Sequence, residues 1–529
     1  MVDYSVTVHT GYLAGGSTIN KINIKLVGTD GESDHEWLKP WKGALTFLRG
    51  QSSHFNVSCP TSLGKLLLIE LDKQNLLKVT EDAWFASKVE VKSPEGDTYN
   101  FPIYRWISDN EVHQFREGTA LRVFDDTHHL GRFSRQQELK QREEDYRWHV
   151  YAEGIPHCIK TEDPLSLPRE VRFSFTKKTE FDFTASAGMA ALGLKGLTDS
   201  VEPWTRIDDI GQVFLLRRTP ISEYTQEHWK EDAFFGYQYL NGVNPIMIQR
   251  CKVLPGNFPV TEDKIFLHGH CKLTDEMQKG NIYLSSGGEA LVTILKRSLS
   301  EITYTSLCMP DDIAERGVED VPNYYYRDDG LKLWDAVYKF VEGILGHYYK
   351  SDAEVQQDTE LQKWTSDIFE HGFLSQANTG IPQSLTTVPE MVKFVTMAIF
   401  TGSGQHSAVN TGQYDYGGWM PNTPVSLQLP PPTTKGTTSE ATMLQTLPDV
   451  NTTAQGMAVM WLLSKQSSDF VPLGQYPEEH FSEEVPCKMI QNFQGELEVL
   501  SAAIKVRNKG LEVPYKYMDP KEVENSVTI

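Results

Sequence analysis

Cysteine is scarce and scattered in this chain: Cys59, Cys158, Cys251, Cys271, Cys308 and Cys487 are all it has in 529 residues. No two stand at CxxC spacing, so neither a zinc knuckle nor a disulfide framework is indicated. Long apolar runs are missing too; none approaches the ~18 residues that a membrane-spanning helix requires. The opening MVDYSVTVHT alternates like a strand and lacks the basic and apolar regions of a secretion signal. A cytoplasmic, reduced protein is the expectation. Positive charge is also short, with 50 Lys and Arg against 71 Asp and Glu and a formal net charge of −21. Such a chain is repelled by nucleic acid, which is set aside as a partner, and by anionic membranes unless a local patch or a bound cation intervenes. What is present suits a packed protein: 39% hydrophobic and 11% aromatic residues argue against disorder over most of the length. The length points to two domains, or one large and one small.

The first ~115 residues read as strands. YSVTVHT, INKINIKLVG, HFNVSC, KLLLIEL and SKVEVKSP alternate with period two, separated by turn-forming AGGS, GTDGES and SPEGDTYN. Short strands with regular punctuation predict a β-sandwich. The character then changes. SRQQELKQREEDYRWHV (134–150) has helical propensity and no Gly or Pro. From about residue 225 helical patterns dominate. In 330–350, Leu331, Trp334, Val337, Val341 and Leu345 make one apolar stripe facing a core. The segment 388–413 is apolar around its circumference and predicts a helix buried inside a helical domain. The prolines of LQLPPPTTKGTT (427–438) forbid helix and predict a loop.

That buried helix carries His406 and Asn410. Spacing of four puts both on one face, a turn apart and within reach of one ion. Imidazole suits iron, copper or zinc, and an amide oxygen is a weak, neutral ligand. A lone His and Asn on a helix are more often hydrogen-bonded core or surface groups, and the spacing leaves both readings open. The chain ends NSVTI. A β-branched apolar ending suggests that Ile529 is tucked in, which buries a carboxylate unless a cation or strong donors receive it.

FTGSGQHSAVNTGQYDYGGWMPNTP followed by LPPPTTKG, with a terminal ENSVTI, resembles the C-terminal half of animal lipoxygenases. So do YYYRDDGLKLWDAV (324–337), HWKEDAFFGYQYLNGVNPIMIQRC (228–251) and GQYPEEHF (474–481). The N-terminal strands, closing with FPIYRWI (101–107), are similar to the PLAT sandwich that precedes the catalytic domain in that family. The resemblance implies an α+β multidomain chain: a PLAT-like β-sandwich over 1–118, then a mainly α-helical catalytic domain over 119–529. It implies one non-haem iron, a polyunsaturated fatty acid such as arachidonate or its hydroperoxide as substrate, and O2 as co-substrate. The activity implied is hydrogen abstraction followed by O2 addition. Two alternatives accompany it: a hydroperoxide isomerase of the same family, and a non-catalytic lipid- or membrane-binding remnant. His406, Asn410 and the carboxylate of Ile529 fall on the family's iron ligands.

The resemblance also implies a first histidine pair upstream, five positions apart on a long helix. None of the fifteen histidines has a partner at that spacing. KGNIYL (279–284) resembles a strand early in the catalytic domain, whereas GGEALVTIL (287–295) resembles a segment just past the ligand helix. On the order of 150 residues, the size of an ordinary domain, are absent near 284–287. Weak or no iron binding and poor stability are therefore expected. Phe400 and its neighbours could line the substrate channel or simply pack. In the sandwich, TEDAWFAS places Glu81 and Asp82 beside Trp84 and Phe85, a candidate Ca2+ loop next to a membrane wedge. Trp37 and Trp41 could act similarly, giving peripheral membrane association.

Overall fold

The computed structural model describes all residues except 41–44, 75–82, 164–165, 169–170, 172–174, 195, 198–201, 214–217, 252, 254–286, 424–428, 430–435 and 526–529. The junction near 284–287 and most of the proline loop at 427–438 therefore lie outside the described residues.

The N-terminal strands are β1 (Val2–Thr10), β2 (Lys21–Gly28), β3 (Glu36–Trp37), β4 (Ser52–Cys59), β5 (Leu66–Gln74), β6 (Trp84–Lys92), β7 (Thr98–Ile107) and β8 (His113–Arg116). They form two antiparallel four-stranded sheets, ordered β4-β1-β6-β7 and β3-β2-β5-β8. Alternation sets the packing: in β4 every second residue is buried and the others face outward. Tyr4, Val6, Ile24, Leu26, Val57 and Val89 meet between the sheets as one core.

Among the described residues after 118 helices dominate, with a two-stranded hairpin of β9 (Trp148–His149) and β10 (Cys158–Ile159). The central element is the helix Tyr325–Tyr348, which buries Tyr326, Leu333, Trp334, Val337 and Val341. It packs against the helices Val388–Phe400 and Glu484–Asn508. The predicted stripe at 330–350 is the face that does this. Buried charges tie the same helices together, since Arg507 makes two 2.6 Å contacts to the carboxylate of Asp329. Ion pairs cross residue 118: Lys88 to Glu479 at 3.0 Å and Arg116 to Asp126 at 2.6 Å.

The helix Val388–Phe400 starts on a capping box. Thr387 Oγ1 accepts from the Glu390 N–H and the Glu390 carboxylate accepts from the Thr387 N–H, both at 3.2 Å. Thr387→Ala is expected to lower the unfolding free energy by about 1 kcal/mol in urea titrations, with Thr387→Ser close to neutral. Equal stability of Thr387→Ala and the parent would show that the cap contributes nothing.

Candidate metal centre

The helix that starts at Val388 does not run uniformly to Asn410. A π-turn over Thr401–Gln405 separates it from the last stretch, His406–Asn410. A π-turn adds a residue to one turn and so rotates everything after it by about 100°. The sequence around it is TGSG, and small residues are what the packing needs there. A Cβ on Gly404 would lie 2.8 Å from Leu333 Cδ2 on the central helix. The chain after the turn is braced by Asp415, which is buried and accepts from Tyr517 Oη at 2.7 Å and Thr219 Oγ1 at 2.5 Å. Burial holds the Tyr517 phenol well above its ordinary pKa, so it remains a neutral donor. Its ring packs on Gly412, where a Cβ would sit 3.0 Å from Cζ.

His406 and Asn410 emerge from this run into one cleft, shared with Lys177, Ser464, Phe470 and Glu524. Both are half-buried. The Asn410 amide oxygen accepts from Gln413 Nε2 at 3.0 Å. Lys177, from the helix Phe175–Leu194, brings an ammonium into the cleft, 3.8 Å from a Glu524 oxygen. The C-terminal segment leads toward the same place. Leu473 N–H donates to the Val523 carbonyl at 2.9 Å, Asn525 N–H to Val471 at 2.8 Å, and Val523 is fully buried. Ile529, the expected carboxylate ligand, lies outside the described residues.

These groups do not fit an iron centre on their own. They offer one imidazole, one amide oxygen that already accepts a hydrogen bond, and the Glu524 carboxylate, which already faces the Lys177 ammonium at 3.8 Å. Among the described residues no group of three or more His, Cys, Asp or Glu is placed to hold a metal. Neither the π-turn nor Lys177 was anticipated from the sequence. The glycine pair at 402 and 404 was the available signal for the turn; nothing marked Lys177.

The sandwich expectations need correction. Trp84 is fully buried, its indole N–H donating to Thr10 Oγ1 at 3.0 Å, and its ring meets Phe47 edge-on at 5.5 Å. Phe85 is buried too, its ring tilted 57° against Trp106 at 5.2 Å and covering Gly11 and Gly16. Both rings hold the sandwich together, and neither is free to wedge into a membrane. Glu81 and Asp82, the candidate Ca2+ ligands, lie outside the described residues, as does Trp41. Trp37 is 41% exposed, with Lys21 and Lys39 ammonium groups 5.4 and 5.2 Å from its ring.

The sequence matches the PLAT/LH2 domain over residues 4–124 and the lipoxygenase domain over 296–518. It is 34% identical to the human polyunsaturated fatty acid lipoxygenase ALOX15B and 32% identical to the human hydroperoxide isomerase ALOXE3, over the whole of both chains in each case. Its fold is similar to the crystal structure of coral 8R-lipoxygenase, with a TM-score of 0.89, 26% identity and full coverage of both chains. The protein belongs to the lipoxygenase family, whose members include fatty-acid dioxygenases. The alignment with the human ALOX15B protein spans 678 positions and this chain supplies 529 residues, so at least 149 of those positions have no residue here.

Proposed function

We propose that this protein is a non-haem-iron lipoxygenase by descent, acting on polyunsaturated fatty acids such as arachidonate with O2. In this reading the present chain, which lacks the first histidine pair, does not sustain that reaction. The observation that carries it is the cleft where His406 and Asn410 meet beside the segment leading to Ile529. The domains divide near 118, and the missing residues belong near 284–287. Ile529 supplies the carboxylate, and Glu81 and Asp82 form a Ca2+ loop. No helix among the described residues is long and apolar enough to cross a membrane. We place the protein in the cytoplasm with peripheral membrane association through the sandwich. A 2-His-1-carboxylate triad is already a minimal iron site, and this chain has one histidine fewer. The hydroperoxide isomerase reading is supported by the similarity to ALOXE3, and the non-catalytic lipid-binding reading by a sandwich whose own core is complete.

The test is elemental analysis of the purified chain with oxygen uptake on arachidonate from the same sample. Iron far below one atom per chain and no uptake are expected. Near-stoichiometric iron with uptake would overturn the ligand argument. Hydroperoxide consumption without oxygen uptake would favour the isomerase, and lipid binding with neither activity the non-catalytic form.

A further inference from the structure

A second pair of imidazoles lies away from the cleft. His157 precedes β10, and His371 sits in a π-turn, Ile368–Gly372, that follows the helix Thr359–Asp367. Although 214 residues separate them in sequence, their Nδ1 atoms are 2.8 Å apart. The approach is fixed by three further contacts. The His157 N–H donates to the His371 carbonyl at 2.9 Å. Trp148 of β9 stacks on the His371 ring at 4.9 Å and 23°. β9 and β10 pair in register, Trp148 opposite Ile159, which ties that indole to the strand following His157.

We propose that His157 and His371 form a chelating site for a divalent transition metal with square-planar or tetragonal preference, copper(II) foremost. The spacing, that of the hydrogen bond the two rings now share, also falls in the range that one ion would set. Two imidazole nitrogens about 2.0–2.1 Å from a tetrahedral zinc ion are held about 3.3–3.4 Å apart. At about 90° around a tetragonal ion the same bond lengths bring them to about 2.8–3.0 Å, as found here. The rings, inclined at 46°, reach the ion by rotation about their side-chain bonds. At present one Nδ1 carries a proton shared with the other. On metal binding both Nδ1 lone pairs go to the ion and that proton moves to Nε2 of the same ring, so a neutral pair releases none. No third His, Cys, Asp or Glu among the described residues completes the set. Both rings are half-buried, so water reaches the remaining positions. Copper stands highest in the affinity order for nitrogen ligands, and the metal clamps the hairpin to the helix end.

The experiment uses the untagged, metal-stripped full chain, titrated by calorimetry with Cu2+ and separately with Zn2+, followed by electron paramagnetic resonance of the copper form. One Cu2+ per chain at micromolar affinity is expected, with coupling to two imidazole nitrogens and Zn2+ weaker by roughly tenfold or more. His157→Gln and His371→Gln should each abolish this binding, while His480→Gln, at an exposed imidazole outside both clefts, leaves it unchanged. Circular dichroism confirms that the variants fold, and the nitrogen couplings of the parent read the ligand set independently of any variant. No copper uptake, or uptake that survives both substitutions, would overturn the proposal and reduce the pair to a hydrogen bond.

Discussion

Arg507→Met is expected to destabilise the protein by about 3–5 kcal/mol, because it leaves the Asp329 carboxylate buried without its counter-charge. Asp329 is 2% exposed on the central helix, and both its oxygens lie 2.6 Å from the Arg507 guanidinium on the helix Glu484–Asn508. The guanidinium also donates to the Tyr515 carbonyl at 2.9 Å, and its charged head lies 4.7 Å from the Tyr325 ring. One side chain therefore joins the central helix, the last helix and the segment leading to the C-terminus. Burial already pushes the Asp329 carboxyl above its ordinary pKa, and Arg507 opposes that push. Without the arginine it moves higher still. A folded state that holds a proton the unfolded state has released loses stability as pH rises, so the deficit of the variant should be larger at about pH 7.5 than at about pH 5. Urea titrations at both values test this. An equal deficit at the two would mean that the loss is one of packing and not of charge. Asp329→Asn combined with Arg507→Met removes both charges and should recover much of the loss.

The sandwich was legible because its strands alternate with period two and its turns carry glycine and aspartate. Each strand named from the pattern is present, down to the inward Val6, Ile24 and Val57. The short β3 and β8 gave no such pattern. Trp84 and Phe85 show the limit of reading a motif by composition: two aromatics after two acids look like a wedge, yet on β6 Trp84 faces the core and Phe85, on the opposite face, is covered against Trp106 and Gly11. In the helical domain the stripe at 330–350 was readable for the same periodic reason. The π-turn was not, because periodicity assumes 3.6 residues per turn and a π-turn breaks that count locally. His406 and Asn410 survive the error because both follow the turn and keep their own spacing. Lys177 was invisible for a different reason. Its place in the cleft depends on how the helix Phe175–Leu194 docks on Val450–Ser464, a long-range contact that no local pattern encodes.

Phe400 separates packing from function most clearly. The sequence left it as either channel lining or helix packing. In the structure it is fully buried, meets Trp334 edge-on at 5.4 Å, and sits in the core shared by the central helix and Val388–Phe400. It is also the last residue before the π-turn, and its ring contacts the space a Gly404 side chain would need, 3.1 Å from the Cβ position. Phe400→Ala is therefore expected to cost about 3–5 kcal/mol, the sum of lost transfer energy and an unfilled cavity. Phe400→Leu, which keeps much of the volume, should cost less than half of that. Because the cavity would open beneath the turn that orients His406, amide exchange should accelerate across 401–410 before it does in the sandwich. Chemical denaturation of the two variants and site-resolved exchange provide the check. A loss below about 1 kcal/mol for Phe400→Ala would mean that the ring fills no essential volume, and the lining reading would then regain the advantage.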